Sequence, residues 1–277
     1  MKWRGRVAVP LTAIGVLVTA TLVLVDGAGA RSAPTPEVAA RPNIIVVMAD
    51  DMRQDEIRTM PHLRSLVVDR GVEFMNSFSP YPLCCPARAS FLTGQYAHNH
   101  DVLSNAAPFG FGAFDDSFTL ATAMQQVGYN TAMLGKYLNN YGTAPSRVTG
   151  KSSVHYVPKG WTRWQGSLTH NRAAGITGDT YNYMHTAYNV NGRTVDTRGY
   201  QTNVLGRAGR QVVTDFSKSS KPFFVWLSFI APHVGSPREA DDPKGLKTPA
   251  RPESVRGDFD RRITKRPDCP GRGESEK

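Results

Sequence analysis

The sequence is poor in cysteine and carries no strongly one-sided block of charge. With three cysteines in 277 residues, it does not belong to the small secreted scaffolds that depend on many paired cysteines. A chain of this length buries enough apolar surface to need no disulfides. The 33 Lys and Arg exceed the 23 Asp and Glu, which gives a net charge of +10. These bases form no stripe with interleaved aromatic residues, so we expect no nucleic-acid partner.

Composition also excludes a disordered, collagen-like or multi-pass membrane protein. Hydrophobic residues make up 40% of the chain and aromatic residues 9%, which are ordinary values for a globular protein. The sequence has no visible internal repeat. We therefore predict one sizeable globular domain, or at most two, and no stable protein partner.

The one long apolar run lies near the N-terminus, over residues 7–25. Three bases precede it, and residues 28–30 (Ala-Gly-Ala) offer the small side chains that a signal peptidase requires. We interpret residues 1–30 as a signal peptide and 31–42 as a linker, which predicts a secreted or extracytoplasmic protein. The run approaches the length of a spanning helix, so an uncleaved membrane anchor is the alternative.

Strand and helix patterns alternate along the rest of the chain. The runs at 43–48 and 222–230 are continuously apolar, as is typical of strands buried on both faces. Asn191-Gly192 is a strong signal for a two-residue hairpin turn. Such alternation predicts an α/β sheet with its site along the strand ends. In chain order we predict a strand at 43–48, helix at 61–70, strand at 72–78, helix at 87–93, helix from 116 or 117 to 126, strand at 131–134, hairpin over 183–196, helix at 200–217 and strand at 222–230.

Two adjacent carboxylates, Asp50 and Asp51, follow the first predicted strand. Neighbouring carboxylates repel each other, so a positive charge is expected between them. Oxygen ligands suit a hard divalent cation such as Ca²⁺ or Mg²⁺. An isolated Asp-Asp pair is more often a helix cap or a solvated turn, and that alternative stays open.

A second motif runs from Cys84 to Gly94. Its pattern Cys-x-Pro-x-Arg, followed by Phe-Leu-Thr-Gly, resembles the signature of type I sulfatases, and the aspartate pair upstream makes the match more specific. In that family a formylglycine-generating enzyme oxidises the first cysteine of the signature to Cα-formylglycine. The resemblance assigns this role to Cys84, because Pro86 and Arg88 stand at the required spacing after it. The alternatives are a packed thiol or a disulfide, for example between Cys85 and Cys269.

The likeness extends to residues 135–139 (Gly-Lys-Tyr-Leu-Asn) and 231–233 (Ala-Pro-His). Arylsulfatases usually carry a histidine two residues after the lysine, where this chain has Leu138. The segment 135–139, with Leu-Cys-Cys-Pro and with His-Asn-His at 98–100, is instead similar to the N-acetylglucosamine-6-sulfatase branch. The resemblance covers about residues 42–237. It implies an alkaline-phosphatase-like α/β fold, with a mixed sheet flanked by helices.

The resemblance also implies a substrate and a set of site residues. The substrate would be a sulfated carbohydrate, similar to glucosamine 6-sulfate, or an aryl sulfate. The cofactors would be Ca²⁺ or Mg²⁺ and the formylglycine at residue 84. Taken singly, an exposed lysine or a packed histidine is the plainer interpretation of several of these positions. The implied metal ligands are Asp50, Asp51 and Cys84; the catalytic residues are Cys84, Arg88, Lys136 and His233; and the substrate-binding residues are Lys136, His233, His100 and Asn139.

One part of the family's site has no counterpart in the sequence. Sulfatases complete the metal site with an Asp-Asn or Asp-His pair on a later strand and usually add a second lysine. We interpret 43–237 as the N-terminal sulfatase domain, 238–277 as a polar, disordered tail, and the chain as truncated on its C-terminal side. A catalytically inactive sulfatase-like protein is one alternative. A phosphate or phosphonate monoester hydrolase of the same superfamily is another.

Overall fold

Six strands form one mixed sheet at the centre of the described chain. A computed structural model describes residues 41–242, 244–245 and 247–257, so the predicted signal peptide lies outside the described residues. The sheet order is β1-β6-β2-β3-β4-β5; the first four strands pair in parallel, and the pairings of β3 with β4 and of β4 with β5 are antiparallel. The mixed sheet and the hairpin agree with the predictions. The strands are β1 (Ile44–Asp50), β2 (Asn130–Gly135), β3 (Arg163–Ser167), β4 (His185–Val190), β5 (Arg193–Arg198) and β6 (Phe223–Pro232).

Helices cover both faces of the central strands. Side chains alternate between the two faces of a strand, so Val225 of β6 packs in a cluster with Leu205 and Val212 of the helix Gln201–Phe216. Its neighbour Trp226 points to the other face, where its ring centroid is 5.1 Å from that of Phe91. In the described residues no helix is long and apolar enough to cross a membrane. The α-helices are α1 (Pro61–Leu66), α2 (Cys84–Thr93), α3 (Ala97–His100), α4 (Leu120–Gln126) and α5 (Gln201–Phe216); 3₁₀ turns cover Gln54–Thr59, Val68–Arg70, Phe111–Ala113, Arg172–Ala174 and Glu253–Val255.

Strand β1 lies at the edge of the sheet, and this corrects one prediction. Its side chains alternate between partly buried and exposed, and Val47 is 63% exposed. The expectation of burial on both faces is therefore wrong for β1, although it holds for the central strand β6. A continuous apolar run identifies a strand, but its neighbours decide how many faces are covered.

Three further local predictions need correction. Residues 72–78 form no strand, and Val72 and Phe74 are 79% and 77% exposed, because no neighbouring strand pairs with this segment. Helix α2 begins at Cys84 instead of residue 87, since proline is compatible with the first turn of a helix. Helix α4 is capped by Thr119 and not by residue 116 or 117.

The described part of the predicted tail contains specific ion pairs, and the disorder of the tail stays a prediction. Glu239 is buried and forms ion pairs with Arg251 at 2.6 Å and with Arg256 at 3.1 Å. These pairs join charged residues that are twelve and seventeen positions apart, which a composition argument does not detect. Residues 258–277 lie outside the described residues.

Candidate active site

The ends of three neighbouring parallel strands bring the chemical groups together. Asp50 is the last residue of β1, Lys136 follows β2, and His233 follows β6. Because β6 lies between β1 and β2 in the sheet and the three strands are parallel, the three side chains lie together at the carboxyl ends of these strands. The first residue of α2, Cys84, lies beside the same edge.

Asp50 forms a buried ion cluster with two cations. Its Oδ2 accepts a hydrogen bond from Lys136 Nζ at 2.5 Å, and its Oδ1 accepts one from Arg88 at 3.1 Å. All three side chains are at most 5% exposed. Burial alone would raise the pKa of Asp50, but the charges of Arg88 and Lys136 outweigh it and bring the pKa below 3.8. Asp50 is therefore a carboxylate at neutral pH.

The two adjacent carboxylates diverge. Asp51 has a left-handed backbone, with φ of 59°, and its side chain is 58% exposed. Its Oδ1 lies 3.8 Å from Cys84 Sγ, and its Oδ2 lies 3.5 Å from His233 Nε2. The positive charge expected beside the pair is thus supplied to Asp50 by protein side chains, while Asp51 faces the thiol and the imidazole.

The two cysteines of the motif differ in environment. Cys84 is half-buried, and burial, reinforced by Asp50 and Asp51, raises the pKa of its thiol despite the opposing charge of Lys136. Cys85 is fully buried, and burial raises the pKa of its thiol to about 12. The backbone N–H of Cys85 donates to Asn105 Oδ1 at 2.9 Å. Both are free thiols, and Cys84 is the one that faces the charged groups.

Arg88 is buried, and its hydrogen bonds go to residues other than Cys84. It donates to the carbonyl oxygen of Lys136 at 2.7 Å and to Ser228 Oγ at 2.6 Å, in addition to Asp50. These bonds tie α2 to β2 and β6. The catalytic role that the resemblance implies for Arg88 stays a prediction. Ser228 was not predicted, although a serine inside an apolar strand is a signal that could have identified it.

Tyr181 is a second residue that sequence reasoning missed. Its ring lies 4.9 Å from Lys136 Nζ and 5.0 Å from the ring of His233. Its hydroxyl accepts a hydrogen bond from Asn139 Nδ2 at 2.7 Å. Asn139 Oδ1 is buried without a partner, so this amide still has an acceptor to offer. No motif marks Tyr181, because it reaches the site from a loop before β4.

The histidines at 98 and 100 lie in helix α3 rather than among these residues. His100 is buried, with its Nε2 3.0 Å from Ser90 Oγ and its Nδ1 accepting from the N–H of Val102. Burial lowers the pKa of His100. His98 stacks on the exposed ring of Tyr96, with 5.9 Å between centroids. Both ring nitrogens of His100 have partners inside the protein, so these contacts give no support to its predicted role in substrate binding.

The residues at the strand ends fit a divalent cation. One ligand atom from each of Asp50, Cys84 and His233 lies within 4.8 Å of the other two, and Asp51 borders the same space. Two carboxylates offer the oxygen ligands that Ca²⁺ and Mg²⁺ prefer. The sulfur of Cys84 stands where a formylglycine oxygen would lie after oxidation.

Sequence comparison identifies the class of protein. The Sulfatase family model matches residues 42–264, so the chain belongs to the Sulfatase family. N-acetylglucosamine-6-sulfatase of the goat Capra hircus is 32% identical over 207 residues, which cover 70% of this chain and 34% of the goat protein. The extracellular sulfatase SULF-1 homolog of Drosophila melanogaster is 31% identical over 206 residues, which cover 70% of this chain and 16% of that protein. The chain thus spans about a third or less of these relatives.

Solved structures support the same fold. The yidJ protein of Bacteroides fragilis superposes with a TM-score of 0.61 at 20% identity, covering 87% of this chain and 53% of that one. A protein solved with its substrate D-glucosamine-2-N,6-O-disulfate gives a TM-score of 0.54 at 23% identity, covering 72% of this chain and 39% of that one. The predicted alkaline-phosphatase-like sheet is confirmed, and the chain corresponds to part of it.

Proposed function

We propose that the chain carries the nucleophile and part of the metal and sulfate site of a sulfuric ester hydrolase. The observation that supports this most strongly is the position of Cys84. It begins α2 at the edge of the sheet where Asp50, Asp51, Lys136 and His233 converge. Pro86 and Arg88 follow it at the spacing of the sulfatase signature.

Residue 84 is the proposed nucleophile after oxidation to formylglycine by a formylglycine-generating enzyme. The hydrated aldehyde of formylglycine would supply an oxygen nucleophile for the ester sulfur, with the sugar or aryl alcohol as the leaving group, and sulfate would be released as the carbonyl re-forms. A thiol with a raised pKa is a poor nucleophile in comparison. Asp51, 3.8 Å from the Cys84 sulfur, is placed to accept a proton from a hydroxyl group at that position.

Lys136 and His233 are the proposed sulfate-binding groups. Lys136 is a buried point charge whose position is fixed by Asp50 and by the ring of Tyr181. His233 presents Nε2 to the site, because its Nδ1 lies 2.6 Å from the carbonyl oxygen of Val234. When protonated, Nε2 can bind a sulfate oxygen or donate its proton to the leaving alcohol. Asn139, beside Tyr181, is proposed to contact the substrate.

Asp50 and Asp51 are the proposed protein ligands of Ca²⁺ or Mg²⁺, together with an oxygen on residue 84. The metal supplies positive charge to the sulfate oxygens and to the nucleophile. Because Ca²⁺ takes six to eight oxygens in general, these residues supply a part of the coordination shell. Arg88 would keep Asp50 ionised and oriented while the metal is bound.

The proposed substrate is a sulfated sugar similar to glucosamine 6-sulfate. The goat and human relatives at 32% and 30% identity are both N-acetylglucosamine-6-sulfatases, and segment 135–139 resembles that branch. We further propose an extracytoplasmic location, since residues 1–30 have the signal-peptide pattern and one relative is an extracellular sulfatase. Intact mass of the exported product would show whether residues 1–30 are removed.

The test begins with modification of the chain. We expect co-expression with a formylglycine-generating enzyme to reduce the mass of the Cys84 peptide by roughly 18, because oxygen replaces sulfur and two hydrogens are lost in the oxidation. The modified chain is then assayed with Ca²⁺ on an aryl sulfate and on glucosamine 6-sulfate. The signal is the rate above that of Cys84→Ala prepared in the same way.

Cys85→Ser is the matched control, because Cys85 is the adjacent thiol but is fully buried, whereas Cys84 is half-buried. We expect Cys84→Ala to remove sulfate release and Cys85→Ser to retain most of it. Equal loss from both substitutions would contradict the assignment of the nucleophile. Faster hydrolysis of the matching phosphate ester would favour a phosphate hydrolase instead.

A further inference from the structure

Side chains with three kinds of metal-binding chemistry meet beside the first turn of α2. Asp50, Cys84 and His233 each place one ligand atom within 4.8 Å of the other two. Asp51 adds a second carboxylate, 3.8 Å from the sulfur and 3.5 Å from His233 Nε2. A thiol, an imidazole and one carboxylate thus lie close enough together to bind a single cation, and the carboxylate of Asp51 borders them.

The hydrogen bond of His233 determines which ring nitrogen faces this cluster. Its Nδ1 lies 2.6 Å from the carbonyl oxygen of Val234, and a carbonyl oxygen can only accept, so Nδ1 carries a proton. In the neutral ring Nε2 then has a lone pair, and it lies 3.5 Å from Asp51 Oδ2, which is also an acceptor. Two facing acceptors repel unless a proton or a metal ion lies between them. Metal-binding histidines typically donate their other N–H in this way.

The sulfur of Cys84 decides which metal suits the unmodified chain. Ca²⁺ and Mg²⁺ take oxygen ligands, whereas Zn²⁺ binds thiolate, imidazole and carboxylate in a tetrahedral arrangement. Ligand atoms around Zn²⁺ lie about 3.5 Å apart, so these side chains must close by about 1 Å. Asp51 and His233 are 58% and 19% exposed, which gives a metal ion access and leaves both side chains room to move.

Asp50 remains available as a ligand despite its ion pairs. A carboxylate offers about four lone-pair positions, and Lys136 and Arg88 use one on each oxygen. The two nearby cations disfavour a metal ion, but a thiolate at residue 84 and the carboxylate of Asp51 add negative charge to the cluster. The net charge around the metal position therefore depends on whether residue 84 is a cysteine thiolate or a formylglycine.

We propose that the chain with unmodified Cys84 binds one Zn²⁺ through Cys84, His233, Asp50 and Asp51. The thiol loses its proton to solvent, and the thiolate donates an electron pair to the metal with no change of oxidation state. Formylglycine has no sulfur, so oxidation of residue 84 removes the thiolate and leaves the oxygen ligands that suit Ca²⁺. The metal preference of the site thus changes with the state of residue 84, and bound Zn²⁺ shields the thiol from oxidation.

The test is a titration of Zn²⁺ alone into the untagged 277-residue chain, with Cys84 shown by mass to be cysteine. We expect one equivalent to bind with release of a proton, measured by calorimetry in two buffers of different ionisation enthalpy. Co²⁺ in place of Zn²⁺ should give a thiolate-to-metal charge-transfer absorption. Binding of Zn²⁺ no tighter than that of Ca²⁺ would overturn the proposal.

Variants assign the ligands. Cys84→Ala should remove the charge-transfer absorption, and His233→Ala should weaken Zn²⁺ binding by about 10- to 100-fold. Cys85→Ser and Cys269→Ser should leave both unchanged, and metal-free thermal melts of each variant show that it is folded. Unaltered Zn²⁺ binding in Cys84→Ala would overturn the site. The proposal does not rest on hydrolase activity, which is measured on the formylglycine form, so either can fail without the other.

Discussion

The buried cluster of Asp50, Lys136 and Arg88 predicts that loss of the carboxylate destabilises the protein more than loss of one of the two cations. One carboxylate contacts two cations at 2.5 and 3.1 Å, and none of the three side chains is more than 5% exposed. The cluster therefore carries one net positive charge. Asp50→Asn raises this to two like charges without a counterion, whereas Lys136→Met lowers it to a neutral pair.

We expect Asp50→Asn to lower the free energy of unfolding by about 3–5 kcal/mol, the usual cost of leaving a buried charge without its partner. Lys136→Met should change it by no more than about 1 kcal/mol, because methionine fills similar volume and the pair of Asp50 with Arg88 persists. The double variant Asp50→Asn/Lys136→Met leaves one buried cation and should lie between the two.

The pH dependence follows from the lowered pKa of Asp50. A carboxyl group whose folded pKa is depressed stabilises the fold above its unfolded pKa and loses this contribution as pH falls through the folded value. Since the folded pKa lies below 3.8, the difference between wild type and Asp50→Asn should persist from neutral pH to about pH 4 and shrink only below it.

The assay is urea denaturation of the purified chain with a chelator present, so that no bound metal contributes. The m-values must agree among the variants if the midpoints are to be compared as stabilities. A loss from Lys136→Met as large as that from Asp50→Asn would refute the charge argument. It would show instead that the three residues act by packing.

Two further predictions concern backbone geometry and a second buried carboxyl group. Gly135 has a φ of 106°, and an added Cβ would lie 1.9 Å from the carbonyl oxygen of Ser228, so Gly135→Ala should lower the free energy of unfolding by more than about 3 kcal/mol. Gly206 lies in helix α5 with open space around it, so Gly206→Ala should raise the free energy of unfolding by about 0.5–1 kcal/mol. The same denaturation assay measures both. Burial raises the pKa of Asp116 to about 6. As pH falls from about 7 to about 4, the free energy of unfolding of the wild type should therefore rise by up to about 3 kcal/mol relative to that of Asp116→Asn. Parallel pH profiles for wild type and Asp116→Asn would show that this carboxyl group titrates normally.

Several elements could be predicted from the sequence because their signals are local. Continuous apolar runs marked β1 and β6, and Asn191-Gly192 marked the hairpin of β4 and β5, since each pattern reflects the conformation of its own segment. The short strand β2 was also predicted. Strand β3 was missed because its sequence, Arg-Trp-Gln-Gly-Ser, has little apolar character. Residues 72–78 have strand composition but no partner, and a strand needs one for its backbone hydrogen bonds.

The same distinction between local signals and long-range contacts applies to the site. The spacing of Cys84, Pro86 and Arg88 is a property of the sequence, and it was enough to suggest the family and the nucleophile. Only the tertiary structure decided that β6 lies between β1 and β2 and so brings Lys136 and His233 to Asp50. It also separated Asp50, neutralised by two buried cations, from Asp51, which the left-handed turn directs toward Cys84 and His233. Contacts of this kind join residues that are far apart in the chain, and sequence spacing carries no information about them.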